Sequence, residues 1–133
     1  MKKKLVVLLS LVLTISFMLC GCGKSEYVEV SGTQYKLKEI PTISEDNQIK
    51  FENDFWGKEV TIVGKVDEIG TGMHVNVEYD SYVDIGDWII DTAGYEDVLA
   101  DLEVGDTIRA TGSIDFSGFG YVGIEATSFE IVK

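Results

Sequence analysis

Gly57-Lys58-Glu59-Val60-Thr61-Ile62-Val63-Gly64-Lys65-Val66 returns, in pattern if not in residues, as Gly105-Asp106-Thr107-Ile108-Arg109-Ala110-Thr111-Gly112-Ser113-Ile114. In both copies apolar side chains recur at every second position, which places them on one face of an extended chain. Both copies also carry a glycine in mid-run. Glycine weakens a strand, so its presence there marks a sharp bend or a bulge, as when one strand serves both halves of a small barrel.

Working outward, Val75, Val77 and Tyr79 alternate with His74, Asn76 and Glu78 and read as a second strand. A third includes Trp88 to Asp91, inside a stretch from Asp84 to Thr92 irregular enough to hold a bulge. Val98, Leu99 and Leu102 have helical spacing and are followed by Gly105, which predicts a short helix. Thr107 to Ile114 and Tyr121 to Val132 complete the strands, the last broken near Ala126. Upstream, Pro41 punctuates the chain, and Ser44-Glu45-Asp46 reads as the start of a helix running to Phe55, with Ile49, Phe51 and Phe55 as its apolar stripe. The expectation is a mainly β domain over residues 44–133: a five-stranded OB-fold-like barrel with a short helix between strands 3 and 4 and an N-terminal helix. Residues 22–43 read as a tether followed by a loose hairpin or extended arm, its alternation broken at Ser31-Gly32.

From about Asn47 onward the chain resembles the tRNA-anti-like family of OB-fold domains. Asn47, Phe55, Gly57 and Lys58 match that family's passage from helix to first strand, and Leu99, Leu102, Gly105, Asp106 and Gly112 echo its turn into the fourth. Phe51 departs from the pattern, standing where the family tends to have Ala. The resemblance implies the fold and not a ligand, since one fold hosts many functions.

The N-terminus carries an address. Lys2, Lys3 and Lys4 precede an uncharged run from Leu5 to Leu19, the layout of a secretory signal peptide, and that run is shorter than the roughly 20 residues a membrane span needs. Leu19-Cys20-Gly21-Cys22 resembles the lipobox of bacterial lipoproteins, with Cys20 where Ala or Ser is usual. The resemblance implies a signal peptide over 1–21 and a diacylglyceryl group on the Cys22 sulfur, whose nucleophilicity a serine hydroxyl would not match. A lipid-anchored protein on the extracytoplasmic face of the cell membrane follows as the expected location. Two acyl chains anchor stably where one does not.

Cleavage before Cys22 leaves 112 residues with no free thiol, and 8 Lys and Arg against 23 Asp and Glu. Cysteine nucleophiles, disulfides and cysteine-ligated metals are thereby removed, and the formal charge falls to about −15. An OB-fold usually binds between the loop joining strands 1 and 2 and the loop joining strands 4 and 5. Gly70 to Met73 and Asp115 to Gly120 are the expected loops. Tyr79, Tyr82, Trp88, Phe116 and Phe119 are the candidate stacking residues for a base or a sugar, with barrel filling as their alternative role.

Nucleic acid is disfavoured, because from Val60 onward only Lys65, Arg109 and Lys133 face fifteen acids. Asp80, Asp84, Asp87 and Asp91 supply hard oxygen donors for Ca2+, although their spacing is not that of an EF-hand loop and a solvated acidic face is the alternative. His74, the one histidine, falls on the polar phase of its strand and reads as an exposed residue. A non-catalytic binding or scaffold module, with an envelope protein or a cell-wall glycan as partner and no cofactor, is the function expected.

Overall fold

Eight strands in one mixed sheet make up more than half of residues 26–133, which the computed structural model describes; Cys22 and the segment read as a signal peptide lie outside them. In chain order they are β1 (Tyr27–Val30), β2 (Thr33–Tyr35), β3 (Glu59–Lys65), β4 (Glu68–His74), β5 (Val77–Ile85), β6 (Trp88–Asp91), β7 (Thr107–Gly118) and β8 (Tyr121–Val132). Helices α1 (Glu39–Asp46) and α2 (Gln48–Asp54) lie between β2 and β3, and the short α3 (Glu96–Leu99) lies between β6 and β7. The sheet order is β2-β1-β3-β7-β8-β6-β5-β4, antiparallel throughout except for the parallel pair β6 and β8.

The mainly β reading holds, and so does a short helix before the strand that starts at Thr107. The five-stranded closed barrel does not: the hydrogen-bonded sheet is open and has eight strands. Two causes are visible. The arm expected to be loose is a hairpin, β1 and β2, that pairs with β3 from Tyr27↔Val63 to Val30↔Val60 and buries Val28 and Val30. The chain also leaves the ladder of β3 after Lys65 and joins that of β5 at Glu68, the N–H groups of Val66 and Asp67 donating to Asp106 O (2.9 Å) and Asp84 O (2.8 Å) between the two. Strands β3 and β4, at opposite ends of the β3-to-β4 portion of the sheet order, are therefore consecutive in the chain.

The two halves of the sequence echo pair with each other. Glu59↔Ser113 through Lys65↔Thr107 form the antiparallel ladder of β3 and β7. The two glycines act differently. Gly112 sits at a register shift between β7 and β8, where an added Cβ would lie 2.0 Å from Glu125 O, so only glycine permits that approach. Gly64 lies in an unbroken ladder and makes room for Ile85 Cγ2.

Several local expectations change. The helix starts at Glu39, not at Ser44, and Pro41 lies in its first turn, where a missing N–H costs nothing because that group has no intrahelical acceptor. Ser44 is buried and shares a 2.6 Å hydrogen bond with Ser117, pinning α1 to β7. Asn47 breaks the helix in two and caps α2, its Oδ1 accepting the Lys50 N–H at 3.1 Å. Phe51 and Phe55 reach the core while Ile49 is 75% exposed.

Both expected binding loops turn out to be strand. Gly70 to Met73 belongs to β4 and Asp115 to Gly118 to β7, joined to their neighbours by tight turns at Val75-Asn76 (φ 46° and 65°) and Phe119-Gly120 (φ 55° and 80°). Positive φ at both central residues matches the twist of paired strands. The expected bulge near Asp84 to Thr92 is instead a turn at Gly86 and Asp87, the expected break near Ala126 is a register shift at Thr127 within an otherwise continuous β8, and β5 carries a bulge of its own.

The main core lies between one face of the sheet and the α1–α2 pair, with Trp88, Ile85, Ile90, Ile62, Ile108, Ile124 and Phe51 all buried. Burial of such side chains, at about 25 cal/mol per Å2 of apolar surface, is the dominant favourable term in folding.

Candidate functional site

On the outer face of the sheet, away from that core, a second and smaller cluster forms from Tyr79, Tyr82 and Ile89, with Val75, Val77, Phe116 and Tyr121 packed around it. Register places its members in rows across the strands. Glu68 faces Asp84, Asp84 faces Ile89, Ile89 faces Gly123 and Gly123 faces Phe116. The next row runs Gly70, Tyr82, Asp91, Glu125 and Ser113. Period-two alternation alone puts carboxylates and aromatic rings side by side here.

One irregularity completes the face. In β5 the pairing passes from Gly70↔Tyr82 to Gly72↔Tyr79, so an extra residue bulges at Asp80 and Ser81 and brings two tyrosines three positions apart to the same side. Their ring centroids are 5.6 Å apart. The tyrosine ring also lies where a Cβ on Gly70 would be, 2.5 Å from Tyr82 Cζ, so the small residue gives the ring its seat.

His74 closes this cluster from above. Its ring stacks on Tyr82 (centroids 4.4 Å, 18° between planes), meets Tyr121 edge-on at 5.6 Å, and its Nε2 is hydrogen-bonded to Asp84 Oδ2 at 2.8 Å. Since the ladder sets Glu68, not His74, opposite Asp84, the tip of the β4–β5 hairpin bends back over the sheet to make that contact. The expectation of an exposed strand histidine is thus replaced by a clasp.

Electrostatics follow from the geometry. Burial pushes the Asp84 carboxyl above its usual range, and the hydrogen bond and charge of His74 oppose the shift. Asp84 Oδ1 is buried with no hydrogen-bond partner. Tyr82 donates to Glu68 Oε2 at 2.6 Å, and this bond, together with burial, raises the phenol to about 12. Desolvation followed by Asp115, Asp91 and Asp84 raises Tyr79 to about 12 as well. Tyr121 is raised by burial and by Asp84, Asp87, Glu68 and Asp67, which shows how many carboxylates converge at this end of the face. At the other end partial desolvation, Glu125 and Asp91 hold Asp115 up at about 6.

The five aromatic candidates divide. Tyr79 and Tyr82 belong to the outer face but are 8% and 5% exposed, and Phe116 is half-buried beside them. Trp88 belongs to the main core, wholly buried, its Nε1–H donating to Leu37 O at 2.8 Å. It alternates with Ile89 and so points to the opposite side of the sheet. Phe119 is 70% exposed at a turn. Tyr121, His74 and Glu68 join the site with no motif to announce them; the sequence signal for them is the alternation of their strands, β8 and β4.

The four candidate calcium ligands do not gather either. Asp84 is committed to His74, Asp91 accepts the Ala93 N–H at 3.1 Å, Asp80 is exposed, and Asp87 is half-buried in the turn after β5. Among the described residues no three His, Cys, Asp or Glu side chains form a group able to hold a metal ion. No helix among them is long and apolar enough to cross a membrane. No protein-family model matches this chain, and no curated protein matches it.

Proposed function

We propose that the chain is a lipid-anchored extracytoplasmic binding module, attached through Cys22, whose OB-like sheet presents its outer face to a cationic partner. The observation that carries this reading is the outer face as a whole, in which half-exposed Phe116 and Tyr121 stand with Asp91, Asp115, Glu125 and Glu68, and with His74 as the basic residue. Acid beside aromatic rings suits ammonium or guanidinium groups through ion pairing and cation–π attraction. It repels phosphate, so an oligonucleotide, the ligand the family resemblance brings to mind, is disfavoured.

The OB-like reading of the domain is supported by the order β3-β7-β8-β6-β5-β4, in which the end strands are consecutive in the chain, and by the short helix before β7. His74 and Asp84 resemble the base and orienting acid of a hydrolase. No hydroxyl or thiol bonds to His74 among the described residues, however, and the pair serves here as a clasp.

A decalysine peptide and a ten-nucleotide oligothymidylate, titrated against the full chain in detergent, test the ligand class. Peptide binding that falls at least about tenfold in Asp91→Asn/Glu125→Gln, while Asp101→Asn/Glu103→Gln binds as the parent does, supports the outer face; equal losses from both pairs, or preference for the oligonucleotide, refute it. Membrane fractionation of Cys22→Ser tests the anchor, because unchanged retention of this variant removes the lipid from the account.

A further inference from the structure

A second site of opposite character lies where the β1–β2 hairpin meets the helices. Between them is a cavity of about 330 Å3, within the size range of small-ligand pockets. Its apolar wall comes from Tyr35 and Phe55, whose rings meet edge to face at 5.6 Å and 84°, so the half-buried Tyr35 closes one side while Phe55 is fixed in the core. Its rim carries the hydroxyls of Ser31, Thr33 and Tyr35, none of which has an internal hydrogen bond among the described residues. Opposite them Lys50 Nζ is bound to Asp54 Oδ2 at 3.0 Å, which neutralises both and leaves Asp54 Oδ1 free to accept. Lys58 has no carboxylate partner among the described residues.

That inventory is unusual in a mature sequence of charge about −15. The cavity sums to one positive charge, held by exposed Lys58 at the start of β3, together with donors, acceptors and an aromatic wall. Hydroxyl groups that both give and accept hydrogen bonds, arranged around a ring with an apolar face, complement such a wall and rim. One carboxylate complements the one unpaired ammonium. We infer that this cavity binds a monosaccharide carrying a single carboxylate, a hexuronate, with its acid group on Lys58 and its hydroxyls on Ser31, Thr33 and Asp54. The site is separate from the outer face and stands independently of the cationic-partner reading.

The test is an amide-shift titration of the 15N-labelled full chain in detergent with D-glucuronate, D-glucose and acetate at one ionic strength. Saturable shifts at Ser31, Gly32, Thr33 and Lys58 are expected with glucuronate, at least about tenfold weaker with either of the other two. Lys58→Gln lowers glucuronate affinity by about tenfold, Lys58→Arg keeps it, and Arg109→Gln leaves it unchanged. Equal binding of glucose, equal binding of acetate, shifts located elsewhere, or an unaffected Lys58→Gln variant each overturns the inference.

Discussion

The two faces of the sheet are built on different terms. The inner face is apolar, and the polar atom that Trp88 brings into it is satisfied by one hydrogen bond to Leu37 O. The outer face holds tyrosines, an imidazole and carboxylates, tied together by the Tyr82–Glu68 and His74–Asp84 contacts, and it keeps one buried oxygen, Asp84 Oδ1, without a partner. An apolar core gains most of its free energy from area removed from water and is indifferent to pH. A polar cluster in a low dielectric is costly if any member is lost and responds to protons. Stability therefore resides mainly inside and tunability outside.

Substitutions can break that contrast. Gly112→Ala is expected to be the most damaging, because its Cβ meets the Glu125 backbone at 2.0 Å and neither β7 nor β8 can yield without losing the ladder; a loss of at least about 4 kcal/mol in urea unfolding, or failure to fold, is expected. Trp88→Ala should cost about 3–5 kcal/mol by the same measurement, as for other large core deletions. A much smaller cost for either would mean that the inner face is looser than its packing indicates.

The outer face should respond by less, and with a pH signature. His74→Phe keeps a ring on Tyr82 but leaves Asp84 without a donor, a penalty of about 1–3 kcal/mol at pH 7. With burial raising its folded value above the unfolded one, Asp84 stabilises the fold when protonated, and that contribution is lost as pH rises through the folded value. The variant should therefore regain stability on acidification more steeply than the parent, and parallel pH profiles would show that the clasp acts by shape alone. Gly70→Ala forces Tyr82 off its seat, since the added methyl would meet the ring at 2.5 Å, yet a side chain can turn away; about 1–2 kcal/mol is expected, with the indole resonance of Trp88 unmoved.

The smallest effect tests the sign of the same coupling. Asp115, raised from 3.8 to about 6, adds stability that is complete below the lower value and lost as pH climbs through the upper one. Asp115→Asn should match the parent near pH 4 and melt higher than it at pH 7. A variant that melts lower at pH 7 would mean that the carboxylate has a partner that matters more than its acidic neighbours.

Much of the inner face was legible in the chain, because alternation and two mid-strand glycines are local signals. The matched decamers pair with each other, and the helix before Thr107 lies where Val98, Leu99 and Leu102 placed it. Turn chemistry was less readable. Val75 is a β-branched residue at φ 46°, which such residues rarely adopt, so Asn76, which tolerates positive φ, was the one turn signal inside an apparently unbroken strand. Trp88 could have been assigned inward from its alternation with Ile89. The contact of His74 with Asp84 could not, since it depends on a bulge and a bent hairpin that no residue pattern encodes.

The β1–β2 hairpin has a mechanical consequence. Any tension applied to the chain ahead of Glu26 reaches the domain first through the four residue pairs of β1 with β3. Those pairs would yield as a unit, withdrawing Val28 and Val30 and baring the outer edge of β3, while the six ladder-bound strands from β3 to β8 keep all their own pairings. The N-terminal hairpin is in that sense a fuse, whose release under load would expose a new strand edge without unfolding the sheet behind it.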